Sequence, residues 1–170
     1  MKEFDSTKPV HKNYGPGIGP FGEPQIVKII AERLNLRGVR SQTQRTPDMS
    51  IDDEWALEFK IARPFNDNGR KAENWSVNLL HPYEGNESLL GDCCKLRSLS
   101  GYTKKAVITI GYEHDPAKIQ LEPLFKSFEL IASKVMGIRL SNRVEEIRKE
   151  LVHPEHQVVH IVGWEVFGEG

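Results

Sequence analysis

Pro47-Asp48-Met49-Ser50-Ile51-Asp52-Asp53-Glu54-Trp55-Ala56-Leu57-Glu58-Phe59-Lys60-Ile61-Ala62 reads as two β-strands joined by a tight acidic turn. Asp52-Asp53-Glu54 supplies residues that turns favour. If Ile51 and Trp55 close that turn, Asp48 stands opposite Glu58. Side chains alternate between faces along a strand. One face then carries Met49, Ile51, Trp55, Leu57, Phe59 and Ile61, apolar without exception, and must be core. The other carries Asp48, Ser50, Ala56, Glu58, Lys60 and Ala62, so two carboxylates and one ammonium share neighbouring positions.

Like charges directly opposite on paired strands destabilise by about 0.2–1 kcal/mol. A hard divalent cation such as Mg²⁺ reverses that sign, because it takes oxygen ligands and retains waters. Lys60, two residues after Glu58, points the same way and can neutralise a phosphate or orient a water. An ordinary strand face with a cross-strand ion pair would show the same letters and contribute little. A third acid comes from the helix expected at residues 24–36, where Ile26, Val27, Ile30 and Leu34 form one stripe. Glu23 heads that stripe and should face the sheet, unless it only supports the helix dipole. Glu32 lies about 180° around the helix and should face solvent.

Working outward, residues 1–22 read as an arm or loop, a flexible entry to the first helix, and residues 23–170 as one domain. Gly17-Ile18-Gly19-Pro20-Phe21-Gly22 matches GxGxxG, but no strand precedes it and Pro20 would sit in the phosphate turn, so no nucleotide cofactor is expected. Strands are expected at Val39–Gln44, Asp48–Ile51 and Trp55–Ala62. A polar loop, Pro64–Asn74, follows, and Trp75–Pro82 fits no single pattern. A helix at 88–99, capped by Asn86 or Ser88, precedes a buried central strand at Ala106–Tyr112. Helices at 121–136 and 142–151 and a final strand at Gln157–Phe167, bulged at Gly163, complete an α/β chain.

The 170 residues carry 23 basic and 24 acidic side chains, a net charge of −1, so no overall electrostatic footprint for nucleic acid is present. A local basic surface around a metal-loaded acidic site remains sufficient for such a partner. No apolar run approaches the length of a membrane span, and the N-terminus lacks an apolar signal region. Cys93 and Cys94 are adjacent and read as small apolar packing residues on a helix. These features point to a reducing cytoplasm.

Pro47-Asp48, nine intervening residues and Glu58-Phe59-Lys60 resemble the PD-(D/E)xK signature of restriction-endonuclease-like nucleases. The resemblance extends over about residues 23–112, and not over 113–170. It implies a core of one helix, a three-strand meander, a second helix and a central strand, here with C-terminal helices and a final strand added. It implies a metal-dependent endonuclease that hydrolyses phosphodiester bonds with Mg²⁺ or Mn²⁺, in DNA rather than RNA. Asp48 and Glu58 would hold the metal, Lys60 would position the nucleophile and Glu23 would be the first-helix acid. Arg63, Arg70 and Lys71, just after the catalytic strand, are the expected phosphate contacts, although each has an equally good account as a solvated charge. A homodimer suits a reaction on both strands of a duplex. The alternatives are a non-catalytic nucleic-acid or protein-interaction module with this fold, and an enzyme whose loop at 15–22 binds a phosphorylated ligand.

His153-Pro154-Glu155-His156 followed by His160 resembles a zinc ligand set but lacks a fourth partner at suitable spacing. Gln42 and Gln44 are expected to line the site edge or an ordinary polar strand face.

Overall fold

The computed structural model describes residues 1–34, 38–41, 46–83 and 87–168. Its centre is an open six-stranded mixed sheet in the order β1-β2-β3-β4-β6-β5. The strands are β1 (Val39–Ser41), β2 (Met49–Ile51), β3 (Trp55–Ala62), β4 (Lys104–Glu113), β5 (Val144–Arg148) and β6 (Val158–Glu165). The helices are α1 (Lys2–Ser6), α2 (Glu23–Leu34), α3 (Val77–Leu80), α4 (Leu89–Ser98) and α5 (Glu122–Leu130). Among the described residues no helix is long and apolar enough to cross a membrane.

The β2–β3 hairpin follows from the alternation of its side chains. Met49 pairs with Leu57, Ser50 with Ala56 and Ile51 with Trp55. Glu54 N–H donates to the Ile51 carbonyl across the turn at 3.1 Å, and Asp52 adopts a φ of 49° there. β1 pairs antiparallel with β2 as the third strand of the meander. The chain then crosses through α3 and α4 and returns as β4, parallel to β3, with Glu58 beside Val107 and Lys60 beside Thr109. Such a parallel return requires a long connection, here a helical one.

Apolar layers cover both sheet faces. Met49, Leu57, Phe59 and Ile61 pack with Ile26 and Val27 of α2 and with Ile18 and Phe21. Ala56, Ala62, Val107 and Val162 pack beneath α4 and α5, against Leu89, Cys93, Leu96, Phe125 and Phe128. The hairpin face bearing Glu58 is therefore a helix-covered interface rather than a solvated surface.

Four sequence expectations change. Residues 1–22 are no loose arm. They contain α1, and buried Asp5 accepts hydrogen bonds from Ile18 N–H at 2.9 Å and Val152 N–H at 2.8 Å. The helix expected at 142–151 is the edge strand β5, because β6 offers an open row of backbone groups and tertiary pairing overrides helix propensity. The helix expected to run to 136 leaves α-geometry at Leu130 and continues as one π-helical turn, Ile131–Val135. Gly163 pairs regularly with Ile108 and Val144, without a bulge. Gln42, Gln44 and Asn86 lie outside the described residues. Ser88 caps α4, its Oγ accepting from Gly91 N–H at 3.1 Å.

Candidate active site

β2 begins at Met49, so Asp48, just before it, meets β3 through its side chain. Its Oδ2 accepts from Phe59 N–H at 2.8 Å. That bond fixes the carboxylate beside Glu58, as the hairpin register requires. Glu58 is only 4% exposed, and its Oε1 has no hydrogen-bond partner among the described residues. Burial pushes the Glu58 carboxyl up to about 8, and the charges of Asp48 and Asp92 push in the same direction. Asp48 is also raised, chiefly by burial and against the Phe59 N–H bond. The two carboxyl groups are hydrogen-bonded and hold a proton between them. Close acid pairs titrate together in this way because both cannot ionise cheaply.

Lys60 organises the remaining acids. Its Nζ lies 3.1 Å from Asp92 Oδ2 and 3.6 Å from Glu23 Oε1. Burial pulls the Lys60 ammonium down, but Asp92 and Glu23 outweigh it and leave the group raised and charged. Glu23 is raised to about 7, first by burial, with Lys60 opposing and the charges of Asp48 and Asp92 adding to the rise. Asp92 is 1% exposed, and its second oxygen, Oδ1, receives Lys95 Nζ at 2.8 Å. The acids thus form a proton-sharing pair, Asp48 and Glu58, and an ion cluster, Glu23–Lys60–Asp92–Lys95. Thr109, beside Lys60 on β4, is fully buried, and its hydroxyl has no partner among the described residues.

The structure brings Asp48, Glu58, Lys60 and Glu23 together. Asp92 was missed in the sequence. Its signal was an acid on the apolar stripe of α4, between Leu89 and Leu96, where a surface charge has no place.

Arg63, Arg70 and Lys71 stand differently. Arg63 Nη1 donates to the Gly19 carbonyl at 2.7 Å and ties β3 to the N-terminal segment. Arg70 and Lys71 are exposed on a small hairpin in which Asn66 N–H donates to the Arg70 carbonyl. The glycines of the N-terminal segment make room for neighbours. A Cβ on Gly17 would meet Asp5 Oδ1 at 2.7 Å, and one on Gly19 would meet the His156 ring at 2.6 Å.

The histidines serve packing and pairing elsewhere. His153 and His156 stack at 4.6 Å, and burial holds His156 down to about 4, so it is neutral. His114 pairs with Glu155 at 2.7 Å. Among the described residues no group of three His, Cys, Asp or Glu side chains stands in the arrangement of a formed metal site. The donor set of Asp48, Glu58 and Glu23 nevertheless suits a hard cation in kind, being all carboxylate oxygen. The unpartnered Oε1 of Glu58 is a buried acceptor that such a cation would satisfy.

Comparison with family models, curated proteins and solved structures returns no match to this chain.

Proposed function

We propose that this chain is a metal-dependent phosphodiesterase of the PD-(D/E)xK type, acting on DNA with Mg²⁺ or Mn²⁺. The observation that carries the reading is the convergence of Asp48, Glu58, Glu23 and Lys60 at one place, with Glu58 buried and raised to about 8. Four acids gathered at two lysines is a costly arrangement for a sheet that needs only stability. The succession of α2, the β1–β2–β3 meander, the α3–α4 crossover and parallel β4 supports the restriction-endonuclease-like core.

Asp48 and Glu58 would hold the cation, with Glu23 assisting from the head of α2. A bound divalent ion lowers the pKa of its water and stabilises charge on a phosphoryl oxygen. Asp48 is oriented for this by the Phe59 N–H. Lys60 remains protonated through the physiological range and places its ammonium where a phosphate oxygen or attacking water would need a donor. Asp92 holds Lys60 in that position from the α4 side. Glu23 and Lys95, the more exposed members, mark where the cluster opens to solvent.

The test is incubation of the protein with circular and linear DNA and Mg²⁺ or Mn²⁺, beside Lys60→Ala and Glu58→Gln. Cleavage by the wild type alone is expected. Equal cleavage by all three proteins would remove the catalytic assignment. The second reading, a non-catalytic interaction module, draws support from Lys60 already being paired with two acids and from the net charge of −1. It predicts no cleavage and no metal-dependent stabilisation.

A further inference from the structure

β5 closes one end of the sheet, and all five of its residues are exposed. Val144 is 73% exposed and Ile147 43%. An edge strand presents unpaired backbone donors and acceptors to any second strand. Proteins blunt such edges with charge, and like charges along the strand would repel a second copy in every register. The sequence here is arranged otherwise. Glu145-Glu146-Ile147-Arg148-Lys149 reads acid, acid, apolar, base, base.

That order is self-complementary under two-fold symmetry. When two copies run antiparallel about Ile147, Glu146 meets Arg148 on both sides of the axis, and Glu145 meets Lys149, the residue that directly follows β5. The two isoleucines meet at the centre. A register centred on Glu146 sets glutamate against glutamate, and one centred on Arg148 sets arginine against arginine. In-register parallel pairing places every charge on its like. Opposite charges across strands stabilise and like charges destabilise, so one register is selected. A closed two-fold contact uses the same patch twice.

We propose that β5 is the contact surface for a second copy of this chain, pairing antiparallel about Ile147 to join two six-stranded sheets edge to edge. Within one chain Glu146 pairs with Arg148 on the same strand, so the dimer exchanges two internal ion pairs, one in each copy, for four intermolecular ones. Glu145 also holds His160 Nδ1 at 2.9 Å, which fixes its side chain on the strand. The contact is therefore reversible and salt-sensitive. It does not depend on the nuclease reading.

Sedimentation equilibrium over a range of protein concentrations, at low and high salt, tests it. The wild type is expected to dimerise and to weaken with salt. Glu146→Arg and Arg148→Glu should each weaken the dimer by at least about tenfold. The double variant Glu146→Arg/Arg148→Glu should return to within about threefold of wild type, because the swap restores complementarity. A wild type that stays monomeric throughout, or a double variant as weak as the singles, overturns the proposal. Cysteine cross-linking keeps the test decisive if a reversal perturbs folding. In a Cys94→Ser background, Ile147→Cys should form an intermolecular disulfide, since facing residues on antiparallel strands lie about 4.5–5.5 Å apart, within disulfide reach. Val144→Cys, three positions from the axis, should not. Equal cross-linking at both positions would also refute the register.

Discussion

Replacing Glu58 with Gln removes the most perturbed carboxyl group of the cluster while keeping its shape. Its effect on stability should depend on pH with a definite sign. The folded chain holds the Glu58 proton up to about pH 8, whereas the ordinary value for a glutamate is 4.5. Between those limits the folded state binds more protons than the unfolded state, so stability falls as pH rises. The stabilisation is fully present below 4.5 and is lost as pH passes through about 8. At about 1.36 kcal/mol per pH unit, the gap corresponds to a ceiling of about 5 kcal/mol. Asp48 shares the proton, so the pair yields less than the ceiling, about 2–4 kcal/mol. Glu58→Gln cannot ionise, and its amide can donate to Asp48 as the protonated acid does. Urea denaturation from pH 4 to pH 9 should therefore give nearly equal stabilities at the acid end. The variant should be increasingly the more stable protein toward pH 8. Added Mg²⁺ should stabilise the wild type and leave the variant unchanged, because metal binding releases the proton that Glu58 holds. Parallel stability curves for the two proteins across the whole range would refute the buried, proton-holding role of Glu58.

Three further predictions use the same measurements. Lys60→Met should cost about 3–5 kcal/mol at pH 7 by urea denaturation, because Asp92 loses one of its two ammonium partners while remaining buried, and should lower DNA cleavage by at least about 100-fold. Asp92→Asn should lower the carboxyl pKa values of both Glu58 and Glu23, since its charge helps to raise each; the loss of stability between pH 6 and pH 8 should become shallower, and an unchanged slope would contradict its place in the cluster. Asp5→Asn should destabilise by about 1.5–3 kcal/mol, because one carboxylate accepts from a buried and a part-buried backbone N–H and an amide offers a single acceptor oxygen; denaturation midpoints at constant m-value would check it.

The hairpin was legible because strand alternation is strict there and the turn is short. Once Ile51 faces Trp55, the approach of Asp48 to Glu58 follows from backbone geometry alone. Glu23 was legible for the same kind of reason, as the head of an apolar stripe. β5 was not. Glu145, Glu146 and Arg148 are good helix formers, and only the open edge of β6 makes them extended. Arg63 read as a phosphate contact or a solvated charge, and nothing singled out Asp5, because their partners, Gly19 and Val152, are distant in sequence. Asp92 was hidden by ambiguity: an acid in the first turn of a helix usually serves the dipole. Its position between Leu89 and Leu96 was the only sign that it points inward.

The charge balance of the cluster favours a cation site over a structural ion network. Near neutral pH, Asp92 faces Lys60 and Lys95, and Asp48 shares one proton with Glu58. Glu23, raised to about 7, holds a second proton for about half the time. A buried network selected for stability alone would pair every charge, and replacing it by apolar side chains would often stabilise further. Here Glu58 avoids charge by remaining protonated, and Glu23 does so in part despite Lys60 at 3.6 Å. One divalent cation carries the same positive charge as two protons and would satisfy the Glu58 Oε1 that protonation leaves without a partner. Ion binding should therefore strengthen as pH rises through the values of Glu23 and Glu58, and the metal-dependent gain in stability should be larger at pH 8 than at pH 6. A gain that is equal at both pH values, measured at saturating Mg²⁺, would mean that the ion binds elsewhere on the protein.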